Sequence, residues 1–170
     1  LTTGELTTEL LTEKLSNRTI ITTLGNPKYK LNSKDCIDVN NSNTILVIPC
    51  GTYEESEYLT EFSYKYAKSN PNINLIIRYH PIIRDKFISY KLPYLNNLKI
   101  SSSDIINDSS KSRWAIYSSS TAIFEAIKYG CIPIHLNCGL ITDLSDPLWQ
   151  VNSDLIQYII KPNELDKILI

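Results

Sequence analysis

The 170-residue sequence contains no methionine and few residues of several other types: two histidines, five glycines, three phenylalanines and four cysteines. It also lacks any apolar run approaching the roughly 18 residues of a membrane-spanning helix. Its 17 basic and 18 acidic side chains give a formal net charge of −1, which argues against broad electrostatic binding to nucleic acid or anionic membranes. The hydrophobic fraction of 42% is too high for a disordered chain.

The absence of methionine and the spacing of the few cysteines are informative. A natural chain begins with Met and this one begins with Leu1, so we expect a piece of a longer protein. The cysteines, Cys36, Cys50, Cys131 and Cys138, form no CxxC or other zinc-binding spacing. Cys50 and Cys131 border apolar runs, which predicts small buried core residues, and a disulfide framework is not expected in a chain of this size. A reducing, cytoplasmic setting fits this pattern best.

Strand-like and helix-like segments alternate along the chain. Apolar runs at 44–49 and 73–79 predict strands buried in a parallel sheet, and further strands are predicted at 98–100, 113–117 and 131–136. Amphipathic or capped segments between them predict helices at 54–69, 85–91, 103–110 and 122–129. A strand at 19–24 and helices at 3–15, 153–160 and 163–170 complete the prediction. The alternation indicates an α/β fold, a Rossmann-like parallel sheet with helices on both faces.

Ligands of such sheets bind beyond the carboxyl ends of the strands, so polar residues that directly follow predicted strands are the site candidates. The run Ser118, Ser119, Ser120 and Thr121 stands between a strand and a helix. Unpaired backbone N–H groups at a helix start, together with hydroxyls, favour a phosphate. Simple helix capping is the alternative, although one serine would suffice for it.

His80 follows a buried strand and precedes Pro81, which biases its backbone to an extended conformation. Its imidazole could donate to a phosphate or stabilise a leaving group. Arg78 lies on the same side of the strand and could contact the ligand or face a carboxylate of the fold.

Three further residues in or directly after these strands and helices could have functional or structural roles. Gly51 permits close backbone approach to a ligand, or serves a tight turn. Glu125 lies about one turn beyond the serines and could accept hydrogen bonds from ribose, or pair with Lys128. His135 falls within the last predicted strand and is interpreted as a satisfied structural histidine. The GxGxxG and GxxxxGK[ST] signatures of NAD and ATP sites are absent from the sequence.

With these residues in view, the segment 44–137 resembles the C-terminal, donor-binding half of a GT-B glycosyltransferase. Phe124–Leu136 (FEAIKYGCIPIHL) is similar to the helix-then-strand segment of many GT-B families. Arg78–Pro81 (RYHP) with Ser118–Ser120 resembles the HP and SS motifs of bacterial sialyltransferases and related CMP-sugar transferases. CDP-glycerol polymerases of teichoic acid synthesis carry a similar pair of motifs.

The resemblance implies the donor-binding domain of a transferase that moves a sugar from a nucleotide-activated donor, cytidine in these families, to a surface polysaccharide or glycan. His80 and the serines would contact the phosphate, and His80 would assist departure of the nucleotide. Gly51, Arg78 and Thr121 complete the expected phosphate site, and Glu125 would bind the ribose. No cofactor or metal is expected, because GT-B enzymes generally work without a bound metal and no DxD motif occurs.

One departure from the sialyltransferase pattern concerns the general base. Those enzymes carry it in an acidic D/E-D/E-G motif of the other domain, and no such motif occurs here. We therefore expect residues 1–37 to be the end of the N-terminal acceptor domain and a linker, 38–150 the nucleotide-sugar-binding domain, and 151–170 C-terminal helices. The chain would be an incomplete part of the enzyme, inactive alone, binding its glycan acceptor through the missing domain. Peripheral membrane association of the full-length protein is left open.

Two alternatives to the transferase remain open. A nucleotide-sugar epimerase of the same two-domain fold would need additional acid–base residues, of which the chain offers few. A non-catalytic nucleotide-binding or scaffolding domain would have kept the fold and lost the activity. The second alternative gains if His80 and Ser119 are buried and bonded only to backbone.

Overall fold

The computed structural model describes residues 5–15, 19–23, 42–89, 92–140, 146–149, 151 and 153–169. The chain divides into two compact units, Leu1–Ser33 and Lys34–Ile170. In the first unit, helix α1 (Glu5–Lys14) confirms the predicted helix within the described residues. The hydroxyls of Thr8 and Thr23 lie 2.5 Å apart. The predicted strand at 19–24 is wrong in its described part, because only Thr23 takes part in an isolated bridge.

The second unit is built on a six-stranded sheet whose strands all run parallel. The strands are β1 (Thr44–Ile48), β2 (Asn74–Ile77), β3 (Leu98–Ile100), β4 (Trp114–Tyr117), β5 (Ile132–Leu136) and β6 (Gln157–Ile159). They lie in the order β3-β2-β1-β4-β5-β6. This is the strand order of the doubly wound Rossmann fold, so the predicted α/β class is confirmed.

Helices connect the strands of this sheet. They are α2 (Tyr53–Ser69), α3 (Arg84–Ile88), α4 (Ile105–Ser109), α5 (Ile123–Lys128) and, after β6, α6 (Pro162–Ile168). The predicted helices at 54–69, 85–91, 103–110 and 122–129 are confirmed as α2 to α5, with shorter limits for the last three. Among the described residues, no helix is both long and apolar enough to cross a membrane.

Both faces of the central strands β1 and β4 are buried. In β1, Ile45 and Val47 face one core layer and Leu46 and Ile48 face the other, and all four are at most 2% exposed. The first layer contains Leu59, Phe62 and Tyr66 of α2. The second contains Ile123 and Ala126 of α5. Alternating side chains of one strand therefore bind helices on opposite sides, and a charge anywhere in this run would be buried without a partner.

The C-terminal tail differs from the expectation that residues 151–170 contain only helices. The predicted helix at 153–160 is wrong, because Gln157–Ile159 forms β6 and extends the sheet parallel to β5. Short apolar runs do not distinguish strand from helix by periodicity, and the open edge of β5 decides the outcome here. The predicted helix at 163–170 is confirmed as α6, whose Glu164 Oε2 accepts the N–H groups of Ile160 (2.7 Å) and Lys161 (3.1 Å). The domain limits themselves stay predictions, and the linker up to residue 41, with Cys36, lies outside the described residues.

A single amide ties the end of α2 to the neighbouring strands. The Asn97 Nδ2 group donates to the carbonyls of Ala67 (2.9 Å), Asn70 (3.0 Å) and Ile73 (2.9 Å). These carbonyls belong to the last turn of α2 and to the turn that leads into β2. Helix ends leave such carbonyls without intrahelical donors, so Asn97 closes the α2–β2 connection.

Replacing Asn97 with Ala should lower the free energy of unfolding by about 1 kcal/mol, because three carbonyls lose a side-chain donor while those of Ala67 and Asn70 keep a backbone donor. Urea denaturation followed by circular dichroism measures this change. The adjacent Asn96→Ala is the matched control, since residue 96 is exposed and should change stability by less than about 0.5 kcal/mol. Equal stabilities of the two variants would contradict the assigned role of Asn97.

Candidate functional site

The site candidates lie where the direction of the sheet reverses. Strand β1 is flanked by β2 on one side and by β4 on the other. Ile48 at the end of β1 pairs with Tyr117 at the end of β4, so the loops that follow these strands begin side by side. This is the switch point at which open parallel sheets bind ligands.

A buried carboxylate joins the two loops. Glu55, in the first turn of α2, is completely buried. Its Oε1 accepts the backbone N–H of Cys50 at 3.0 Å, and its Oε2 accepts the hydroxyl of Ser119 at 2.5 Å. A carboxylate at a helix N-terminus is favoured by the helix dipole. Glu55 therefore fixes the loop after β1 against the loop after β4.

Glu55 is not among the site residues expected from the sequence, where it lies at the start of the predicted helix 54–69. Its position shortly after a buried strand was the available signal. Cys50 corrects a second expectation, since it is only half-buried and belongs to this loop, where its Sγ lies 3.1 Å from the Thr52 hydroxyl. Cys131 is buried as predicted, and burial raises the pKa of its thiol to about 12.

Gly51 and His80 pack directly against each other. A β-carbon on Gly51 would lie 3.4 Å from His80 Nδ1 and 3.2 Å from Cγ2 of Ile82. Gly51 thus allows a close approach, but the segment that approaches it is the loop after β2 and not a ligand. This contact brings His80 beside the loop after β1.

The hydrogen bonding of His80 defines which nitrogen can donate. His80 is exposed, and its Nδ1 accepts the backbone N–H of Ile82 at 3.3 Å. In the neutral imidazole the proton therefore resides on Nε2, which is the donor left for a ligand. The condition that would favour a non-catalytic scaffold is not met, because His80 is exposed and Ser119 bonds to a side chain.

The serines form a loop and do not cap the helix. Ser118 and Ser120 are buried, Ser119 is half-buried and Thr121 is exposed. Helix α5 has six residues and its N-cap is Ala122, without a side-chain cap. None of the backbone hydrogen bonds found between described residues uses the N–H of Ser119, Ser120 or Thr121 as donor. An anion here would rest on loop amides and hydroxyls, since so short a helix adds little dipole.

Ser119 differs from the expectation in one respect. Its hydroxyl proton is directed to Glu55, so in this arrangement the side chain positions the loop and does not offer its proton to a ligand. Glu125 lies in the first turn of α5, is half-buried and is engaged with other residues of the chain. Its predicted contact with ribose stays a prediction.

Arg78 faces the fold. Its Nη1 donates to the carbonyl of Ser103 and to Asp108 Oδ2 at 3.2 Å. Asp108 is buried and also accepts the Ser101 hydroxyl at 2.5 Å. Of the two alternatives for Arg78, contact with a ligand or with a carboxylate of the fold, the structure has the second. The guanidinium neutralises Asp108, so we leave Arg78 out of the site.

Comparison with known proteins adds one remote similarity. No protein-family model matches the chain, and no curated protein matches it. Among solved structures, the chain is similar to Thermosulfurimonas dismutans KpsC, a beta Kdo 2,4 transferase, with 11% identity and a TM-score of 0.45. The aligned region covers 73% of this chain and 40% of KpsC, so the chain spans less than half of that protein. A likeness of this degree assigns no residue roles.

Replacing Glu55 with Ala should lower the free energy of unfolding by about 2 kcal/mol, because the half-buried donors of Cys50 and Ser119 lose their acceptor. Chemical denaturation measures the change. Glu61→Ala on the same helix is the control, since Glu61 forms only an exposed pair with Lys65 at 3.1 Å and should cost under about 0.5 kcal/mol. A Glu55→Ala variant as stable as the control would refute the bridging role.

Proposed function

We propose that this chain is the donor-binding part of a glycosyltransferase and that it holds the phosphate of a nucleotide-sugar at the switch point. The observation that carries the proposal is the convergence of three loops at the ends of β1, β2 and β4. The Glu55 bridge and the packing of His80 on Gly51 hold these loops together. Nucleotides bind at this place in doubly wound sheets.

The proposed chemistry follows from the donors that face this crevice. The amides of the 119–121 loop and the hydroxyls of Ser120 and Thr121 would bind the phosphate oxygens. His80 would donate from Nε2 to an oxygen of the leaving phosphate. As the bond from the anomeric carbon to this oxygen breaks, negative charge develops on the nucleotide, and fixed donors stabilise that charge. The acceptor hydroxyl would lose its proton to a base outside the described residues.

Cytidine is the proposed nucleotide, and the support for it is the pairing of HP and SS motifs in the sequence. The proposed acceptor is a glycan bound through another domain. Glu125, one turn into α5, would take the ribose hydroxyls. An epimerase of the same fold differs in its product, and an assay of the full-length protein for free sugar separates the two reactions.

Replacing His80 with Ala should weaken binding of CMP about tenfold, because one hydrogen bond to a charged group is lost. Isothermal titration calorimetry of the 170-residue chain with CMP measures this. Lys99→Ala in β3 is the control, since it changes an exposed polar residue outside the proposed contacts. Absence of CMP binding at millimolar concentration, or equal affinities of the two variants, would refute the proposal.

Gly51→Ala should weaken CMP binding by less than His80→Ala does, because the added carbon meets only side-chain atoms, Ile82 Cγ2 at 3.2 Å and His80 Nδ1 at 3.4 Å, which can shift by a few tenths of an ångström. The double variant should be no weaker than His80→Ala alone, since Gly51 would act only through the placement of His80. A double-mutant cycle by calorimetry tests this. Additive effects would show that Gly51 acts independently of His80.

A further inference from the structure

A second cleft lies between β5, β6 and α6, at the same carboxyl edge of the sheet. Its volume is about 640 Å³, a size typical of small-molecule sites. It shares no residue with the switch-point loops. Its walls include His135, Asn137, Asp146, Trp149 and Tyr158.

His135 on this wall has an unsatisfied nitrogen. The residue is only 6% exposed, and its Nε2 has no hydrogen-bond partner among the described residues. Its ring contacts are with Tyr117, edge-on at 5.3 Å between centroids, and Tyr158 at 5.5 Å. The sequence-based interpretation of His135 as a satisfied structural histidine is therefore wrong. Buried polar atoms normally have partners, and this nitrogen is an exception that is closed off from the open space of the cleft.

Asp146 supplies a second buried polar group to the cleft. It is 7% exposed, and its Oδ1 accepts both the Tyr117 hydroxyl (3.1 Å) and the backbone N–H of Leu148 (2.8 Å). Within the described part of the chain, Oδ2 has no partner. Burial first, and then the Asp146 charge, raise the pKa of the Tyr117 and Tyr158 hydroxyls, so both keep their protons at neutral pH.

Two aromatic faces complete the wall. Trp149 is 67% exposed and Tyr158 is 58% exposed, although both are large apolar groups at a cleft. Aromatic rings offer a flat apolar surface with a polar edge. The C–H face of a sugar ring packs on such a surface, while its hydroxyls both donate and accept. Asp146 can accept from those hydroxyls.

The charges of the cleft favour a neutral polyhydroxylated ligand over an anion. Asp146 contributes a negative charge, and Lys167 of α6 contributes a positive one. Glu164 is already occupied by the amides of Ile160 and Lys161. A phosphate or a nucleotide would meet the Asp146 carboxylate with no excess of positive charge to offset it.

We propose that this cleft is a saccharide-binding site, in which Trp149 and Tyr158 pack against a sugar ring and Asp146 bonds to its hydroxyls. The site is separate from the proposed phosphate site and does not depend on it. It would hold part of a glycan that this chain contacts outside the transfer step.

An array of immobilised neutral and acidic oligosaccharides, probed with the 170-residue chain, tests the proposal. Each bound sugar is then titrated in solution by tryptophan fluorescence. The sequence has two tryptophans, and Trp114 is 2% exposed, so a change in emission reports Trp149. We expect at least one oligosaccharide to bind and to change this emission.

Trp149→Ala should weaken that saccharide about tenfold, because truncating an aromatic anchor removes most of its contact. Because Trp149 is exposed, its replacement should leave the melting temperature nearly unchanged, and a melting curve of the variant checks that it is folded. Asp146→Asn, which keeps an acceptor for Tyr117, should weaken the saccharide as well. Tyr94→Ala is the control, an 86% exposed aromatic that does not line the cleft.

The proposal would be overturned if no oligosaccharide of the array binds, or if Trp149→Ala binds the oligosaccharide as tightly as the unaltered chain does. It would also be overturned if cytidine changes the Trp149 emission while every saccharide leaves that emission unchanged. CMP calorimetry on Trp149→Ala separates this proposal from the phosphate site. We expect its CMP affinity to equal that of the unaltered chain, whereas His80→Ala should lower CMP affinity and leave saccharide binding intact.

Discussion

The Glu55 carboxylate is the interaction on which the switch-point crevice depends. Two loops from neighbouring parallel strands each present a half-buried polar donor to the same side chain, and without it these donors would lose their acceptor. Glu55 accepts from both and places the start of α2 against the ends of β1 and β4. The loop after β2 then rests on Gly51, which leaves His80 at the surface. One buried side chain therefore holds the loops after β1 and β4 together.

The sheet could be predicted from sequence because each central strand is buried on both faces and reads as an uninterrupted apolar run. The runs at 44–49 and 131–136 needed no knowledge of their partners. Strand β6 could not be predicted in this way, since its Tyr158 is exposed and its pattern suits either element. Its formation depends on the free edge of β5, which is a property of the assembled sheet.

The proximity of the candidate loops could be predicted, and their individual contacts could not. Strand-end placement predicts that Gly51, His80 and the serine loop lie at one edge, because parallel topology brings the carboxyl ends of strands together. Partner choice depends on distances between segments far apart in sequence. For that reason the sequence did not identify the hydrogen bonds of Arg78 to Asp108, 30 residues away, and of Ser119 to Glu55, 64 residues away. The unpaired Nε2 of His135 could likewise not be predicted from sequence, because its surroundings come from segments far apart in the chain.

The most direct test of the central claim is a map of amide chemical-shift changes when CMP is added to the isotope-labelled 170-residue chain. If the switch point holds the phosphate, the largest changes will fall on the amides of 50–52, 80–82 and 118–122. The Cys50 amide, bonded to Glu55, should be among them. Changes confined to the residues of the β5–β6 cleft, or no changes at saturating CMP, would contradict the account.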